Sequence, residues 1–266
     1  MSQPTIDQDV VRLEIVDHVA VVTICRPAAM NAVDASVSAA IGQALEQADA
    51  DPGVRALVLT GSGGAFCAGA DLKALARGEA VHDPDHPEWG FAGWTQHPVR
   101  VPTIAAVNGF ALGGGTELVL AADLAVADPG ATFGLPEVTR GLLAAAGGII
   151  RLQRQVPFKR ALEMALTGES IAADEAHALG LVNRVSAPGK ALEEAMQLAH
   201  RIADNAPVAV RETKQVMHGT AAMGSDWEPE VWQVSNRAMG RIFRSDDFRE
   251  GTRAFAEKRR PEWSGR

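Results

Sequence analysis

The stretch Thr103-Ile104-Ala105-Ala106-Val107-Asn108-Gly109-Phe110-Ala111-Leu112-Gly113-Gly114-Gly115-Thr116-Glu117 decides the fold. Thr103 to Val107 is uncharged and rich in β-branched and small residues, the pattern of a strand buried on both faces. Asn108-Gly109 turns the chain, and after the glycine cluster a short helix is expected from Thr116 to Ala122. A strand, a glycine bend and a helix start in succession leave the helix's first N–H groups unpaired, where they favour negative charge.

Working outward, the same design recurs upstream. Val54 to Thr60 reads as a strand around Leu57-Val58-Leu59 and breaks at Gly61-Ser62-Gly63-Gly64. Just beyond it lies Ala65-Phe66-Cys67-Ala68-Gly69-Ala70-Asp71-Leu72, where small residues let backbone approach a ligand closely. Val19 to Ile24 is a further strand, ending at Arg26-Pro27. Asp34 to Ala50 carries an apolar stripe at Val37, Ile41, Ala44, Leu45 and Ala48, with Asp34 or Ser36 as N-cap. Leu124–Ala127 and Ala131–Phe133 are short strands, whereas 78–101, with Pro84, Pro87 and Pro98, reads as loop.

After Ala144 the strand signal vanishes. Helices are expected over 148–155, 157–166, 173–179, 188–205 and 207–218, and a last one from Ser245 through Arg259 whose acidic first turn complements the helix dipole. Strand–helix alternation followed by helices predicts an α/β core, residues 1–195, and a helical C-terminal region, residues 196–266.

Composition narrows the function. The 266 residues are 47% hydrophobic with a formal net charge of -8, which allows a large core and opposes nucleic acid as the main partner. Cys25 and Cys67 make no disulfide framework and suit a reducing cytoplasm. Met1 to Asp9 lacks a basic-then-apolar leader pattern, and no apolar run reaches the length of a bilayer span. The C-terminus is locally basic: seven arginines from Arg241 to Arg266 and Lys258 stand against Asp246, Asp247, Glu250, Glu257 and Glu262. That patch suits an anionic small molecule, although taken alone a solvated helix face with i,i+4 pairs accounts for it better.

Two backbone donors converging from separate glycine bends form an oxyanion hole, which stabilises a carbonyl as it becomes an enolate by several kcal/mol, roughly. Glu117 at a helix start and Glu137 after Pro136 supply carboxylates, though either has a plain explanation as a dipole partner or a surface residue. Other signals carry less. Pro84 breaks any helix that would align His82 and His86 on a metal. Cys67 has no evident partner base. Trp89, Phe91, Trp94 and His97 either line an apolar pocket or anchor a loop. Gly61-Ser62-Gly63-Gly64 lacks the last glycine of a dinucleotide fingerprint.

Taken together, Ala65 to Leu72, Asn108 to Glu117, and Phe133-Gly134-Leu135-Pro136-Glu137 with Gly147-Gly148 and Arg151-Leu152 resemble the crotonase (enoyl-CoA hydratase/isomerase) superfamily. The resemblance runs from Arg26-Pro27-Ala28-Ala29-Met30-Asn31-Ala32 to Arg253–Arg259. It implies a crotonase-like spiral of ββα units with a helical C-terminal trimerisation region, giving a homotrimer or a hexamer built as a dimer of trimers. Ala70 and Gly114 match the family's oxyanion donors, and Glu117 and Glu137 its acid/base pair. Ala28, Met30, Ala68, Asp71, Leu72, Lys73, Phe255 and Lys258 fall on positions that contact substrate or coenzyme A, the last two reaching a neighbouring subunit's CoA. The resemblance implies an enoyl-CoA hydratase needing no metal and no cofactor because CoA belongs to the substrate, and the cysteine usage and the lack of a long apolar run lead us to expect it soluble and cytoplasmic. Enoyl-CoA isomerisation, carnitinyl-CoA-type dehydration, thioester hydrolysis and non-catalytic acyl-CoA binding remain open. Two departures stand out: Ala28 replaces a frequent lysine, and Gly141 to Gly148 is alanine-rich where family members carry a proline.

Overall fold

The computed structural model describes residues 9–225 and 227–266. The reading of Met1 to Gln8 as free of a leader lies outside them. The chain opens with a hairpin of β1 (Val11–Val16) and β2 (Val19–Ile24), then α1 (Ala35–Ala50). Asp34 caps α1 by accepting the Val37 amide at 3.0 Å, so the expected cap is the aspartate, and Ser36 donates to it instead.

Three ββα turns follow. They are β3 (Ala56–Gly61), β4 (Ala65–Cys67) and α2 (Leu72–Ala76); β5 (Thr103–Val107), β6 (Phe110–Leu112) and α3 (Gly114–Ala121); and β7 (Leu124–Ala127), β8 (Thr132–Gly134) and α4 (Gly148–Gln155). In each turn the first strand joins one sheet and the second joins the other. After α5 (Phe158–Thr167) come β9 (Ile171–Ala172), α6 (Ala173–Ala178) and β10 (Arg184–Val185). The sheets therefore run β1-β2-β3-β5-β7-β10 and β4-β6-β8-β9. Pairing is parallel except at the outer pairs β1–β2 and β8–β9. This is the ββα spiral that the resemblance implied.

The uninterrupted apolar strands have a simple cause. Side chains alternate faces along a strand, and both faces of the large sheet are covered. Val22, Leu57, Leu59, Ala105 and Val107 enter the main core, while Val21, Val58, Ile104 and Ala106 pack under α7 (Ala191–Ala203) through its Ala195 and Ala199. The boundary expected between 195 and 196 thus falls inside one continuous helix that belongs to the sheet, and the chain leaves the core nearer Asp204–Ala206. Beyond it lie α8 (Pro207–Thr220), α9 (Pro229–Ile242), which the sequence reading missed, and α10 (Asp246–Glu257), capped by Ser245.

Strand signal does not end at Ala144 after all: β9 and β10 complete the two sheets, but two residues are too few to show a period. Asp123 secures α8 to the core, accepting from Lys214 at 2.8 Å, His218 at 2.6 Å and the Thr103 amide at 2.7 Å. Among the described residues no helix is long and apolar enough to cross a membrane.

Candidate functional site

Two glycine bends meet at the ends of β4 and β6. Gly69 has φ +89° and Gly113 φ +55°, left-handed values that reverse the chain just before Ala70 and Gly114. The bends abut: a side-chain carbon at Gly69 would lie 2.9 Å from the Gly114 nitrogen and 2.8 Å from the Leu112 carbonyl. The Ala70 bridge to Val33 uses the Gly69 carbonyl and the Asp71 amide and leaves the Ala70 N–H out. Gly114 is the first residue of α3, where an N–H has no intrahelical acceptor. Among the described residues neither N–H has a hydrogen-bond acceptor.

The carboxylates stand beside these amides. Glu117, in the first turn of α3, is 3% exposed; its Oε1 accepts the Gly148 amide at 2.8 Å, and the Ala146 amide also donates to it. Glu137 sits in the 3-10 turn Pro136–Arg140, and its Oε1 lies 2.9 Å from where a side chain on Gly113 would begin. Its Oε2 is buried with no hydrogen-bond partner among the described residues. Burial pushes Glu117 up to about 7, with the neighbouring Glu137 charge adding to it against the two amides. Burial also raises Glu137. Such a pair titrates as a unit, and near neutral pH one member can hold a proton while the other is ionised.

The loop between α2 and β5 divides into two roles. Phe91 lies over Gly114, where an added side-chain carbon would overlap its ring. Trp89, Trp94 and His97 are anchors: Trp89 stacks between His86 (centroids 3.8 Å) and His97 (4.6 Å), and Trp94 Nε1 donates to the Leu118 carbonyl. His86 is thereby committed to a ring stack. Cys67 is fully buried, its thiol pushed up to about 12 by that burial, so it has no nucleophilic character at neutral pH.

The expected CoA contacts separate. Ala28 and Met30 lie exposed on the short turn beside Ala68, whose amide donates to the Met30 carbonyl at 3.0 Å; Leu72 and Lys73 are exposed on α2. Asp71 is committed to structure instead. One oxygen caps α2 through the Lys73 and Ala74 amides, and the other pairs with Arg26, which also pairs with Asp34. Arg26, which no sequence signal singled out, thus ties the caps of α1 and α2 together. Phe255, 88% exposed, and Lys258 sit at the end of α10 and are not brought to this site within the chain. Much of the basic tail is paired internally: Arg249 with Asp246, Arg253 and Arg259 with Glu250, and Arg241 with Glu212. The amides of Ala146 and Gly148 that hold Glu117 were also missed as functional groups, because any residue supplies a backbone N–H.

A ββα spiral whose two glycine bends set unpaired amides beside a pair of buried glutamates is the crotonase architecture. The chain belongs to the enoyl-CoA hydratase/isomerase family, whose model matches residues 14–266. It is 40% identical to the carnitinyl-CoA dehydratase of Proteus mirabilis, over 91% of this chain and 93% of that one. A crystal structure of enoyl-CoA hydratase from Mycobacterium tuberculosis H37Rv is 46% identical, with a TM-score of 0.90 over 97% of this chain and 99% of that one. One of carnitinyl-CoA hydratase from Mycobacterium avium is 49% identical, with a TM-score of 0.78 over 97% and 99%.

Proposed function

We propose that this protein is a hydro-lyase, an enoyl-CoA hydratase that adds water across the 2,3 double bond of a 2-enoyl-CoA. The observation that carries the reading is the meeting of the Ala70 and Gly114 amides beside Glu117 and Glu137. The thioester oxygen accepts from both amides, which draws electron density from the conjugated alkene and makes Cβ electrophilic. Water held between the glutamates attacks Cβ. Ionised Glu117 takes the water proton, and protonated Glu137 delivers its own to Cα, so one H2O is added and one proton has moved from one carboxyl to the other. The reaction is redox-neutral and balances with these groups alone, so no metal or cofactor is assigned.

Similarity to carnitinyl-CoA dehydratases and hydratases favours one further reading, the same chemistry run as carnitinyl-CoA-type dehydration of a 3-hydroxyacyl-CoA. A panel of enoyl-CoAs, followed by loss of the conjugated enone absorbance, tests the assignment. Wild-type turnover with collapse by orders of magnitude in Glu117→Gln supports hydration, and turnover surviving in that variant points to a one-base isomerase using Glu137.

We assign CoA contacts to Ala28, Met30, Ala68, Leu72 and Lys73 of one subunit and to Phe255 and Lys258 of a neighbour. The apolar side chains of Met217, Phe243 and Phe255, exposed on α8 to α10, support a trimer or hexamer; sedimentation gives its size. Two free cysteines are in keeping with a cytoplasmic location.

A further inference from the structure

We propose that Arg151 is a positioning residue for the base: it fixes the loop that cradles Glu117 and supplies the positive charge beside its carboxylate. The inference rests on Glu117 being the base. Arg151, on α4, is half-buried, and among the described residues no carboxylate forms an ion pair with it. An arginine drawn out of water without a counter-ion needs compensation, and here it comes from two carbonyls. Nη2 donates to Thr95 at 2.5 Å and Nη1 to Ala146 at 3.4 Å.

Those carbonyls belong to the two loops that shape the site. Ala146 presents its amide to Glu117 and its carbonyl to Arg151. Thr95 accepts on its carbonyl, while its own amide donates to the carbonyl of Phe91, whose ring covers Gly114. The guanidinium therefore cross-links the cradle of the base to the wall over the oxyanion bend. Gly147 makes room for it: φ is +110°, and a side-chain carbon there would overlap Nη1.

Few other charges face this pair. Glu137 acts on Glu117 against Arg151, and Arg154 lies near Arg151 on α4. Asp123, Lys214 and His218 line the same groove as Arg151 but are paired with one another. The Gly148 amide is the larger support for the Glu117 charge, and Arg151 adds to it, both through its own positive charge and by holding the loop that carries that amide.

The test reads Glu117 directly, by carbon NMR titration of protein labelled with 13Cδ-glutamate, the Glu117 signal being assigned by its loss in Glu117→Gln. Arg151→Met raises the Glu117 midpoint by roughly one pH unit, and Arg151→Lys restores most of it. Gly147→Ala, which keeps the guanidinium but evicts it, moves the midpoint the same way and serves if Arg151→Met does not fold. A midpoint unchanged from wild type in a folded variant of either kind overturns the proposal, as does Arg151→Lys behaving like Arg151→Met. The readout needs no turnover, so failure of the hydratase assignment appears separately, as a wild type inactive on every enoyl-CoA.

Discussion

Oε1 of Glu117 accepts the Gly148 amide at 2.8 Å, joining the first turn of α3 to the first residue of α4. A helix N-terminus offers such an amide with partial positive charge, which favours the ionised carboxylate. Burial opposes it, and the balance leaves Glu117 at about 7. A group poised there changes hands with a proton at little cost.

The first expectation is kinetic. The proposed hydration uses the singly protonated pair, so kcat/KM should be bell-shaped in pH, rising as the first proton of the coupled pair is lost and falling as the second leaves, with Glu117 at about 7 and Glu137 also raised by burial. A profile flat from pH 5 to 9 contradicts these roles.

The same residue shapes stability. The folded protein holds the Glu117 proton up to about 7, whereas the ordinary value is 4.5, so the folded state binds more protons between those limits and stability falls as pH rises through them. Glu117→Gln removes a penalty on the order of 2–3 kcal/mol above pH 7. Its Tm should exceed that of wild type at pH 8 and match it at pH 4; equal separation at both values counts against a buried charge.

Phe91 covers the Gly114 bend, so in the proposed reaction it borders the acyl group. Phe91→Ala should change the ratio of kcat/KM for bulky against crotonyl substrates by about tenfold or more, with the fold retained because Trp89 and Trp94 hold the loop. Gly114→Ala collides with that ring and should lower kcat by roughly 10² or more through a misplaced donor. Combining the two substitutions should recover part of the loss. A double variant no better than Gly114→Ala rules out Phe91 as the obstruction.

Away from the site, Asp123 should report on docking of α8. Burial opposes its charge, but Lys214, His218 and the Thr103 amide overcome that and hold its carboxyl below 3.8. Its contribution is present above that value and is lost in stronger acid. Lys214→Met leaves the carboxylate buried without its lysine and should cost about 3 kcal/mol. Chemical denaturation at pH 7 measures it, and a cost below about 0.5 kcal/mol puts the pair among surface bridges.

Some features were legible from the residues alone because their causes are local. The stripe of α1, the Asp34 and Ser245 caps and the uncharged run of β5 depend on neighbours within a few positions. The bends at Gly69 and Gly113 were legible as bends for the same reason, and the resemblance then said what they are for.

Pairing across the chain was decided by tertiary structure. Nothing between Cys67 and Leu112 requires Gly69 to meet Gly114; the spiral stacks β4 on β6 and brings them together. Asp71 matched a substrate position, yet its oxygens are taken by a helix cap and by Arg26, a partner 45 residues away. β9 and β10 exist only because neighbouring strands already offer edges. The sequence by itself determined the long strands and helices whose causes are local, the glycine bends, and which segments supply glutamates and small residues beside them. Only the folded chain decided which bends lie together and how readily Glu117 ionises, because burial and charge proximity come from segments far apart in sequence.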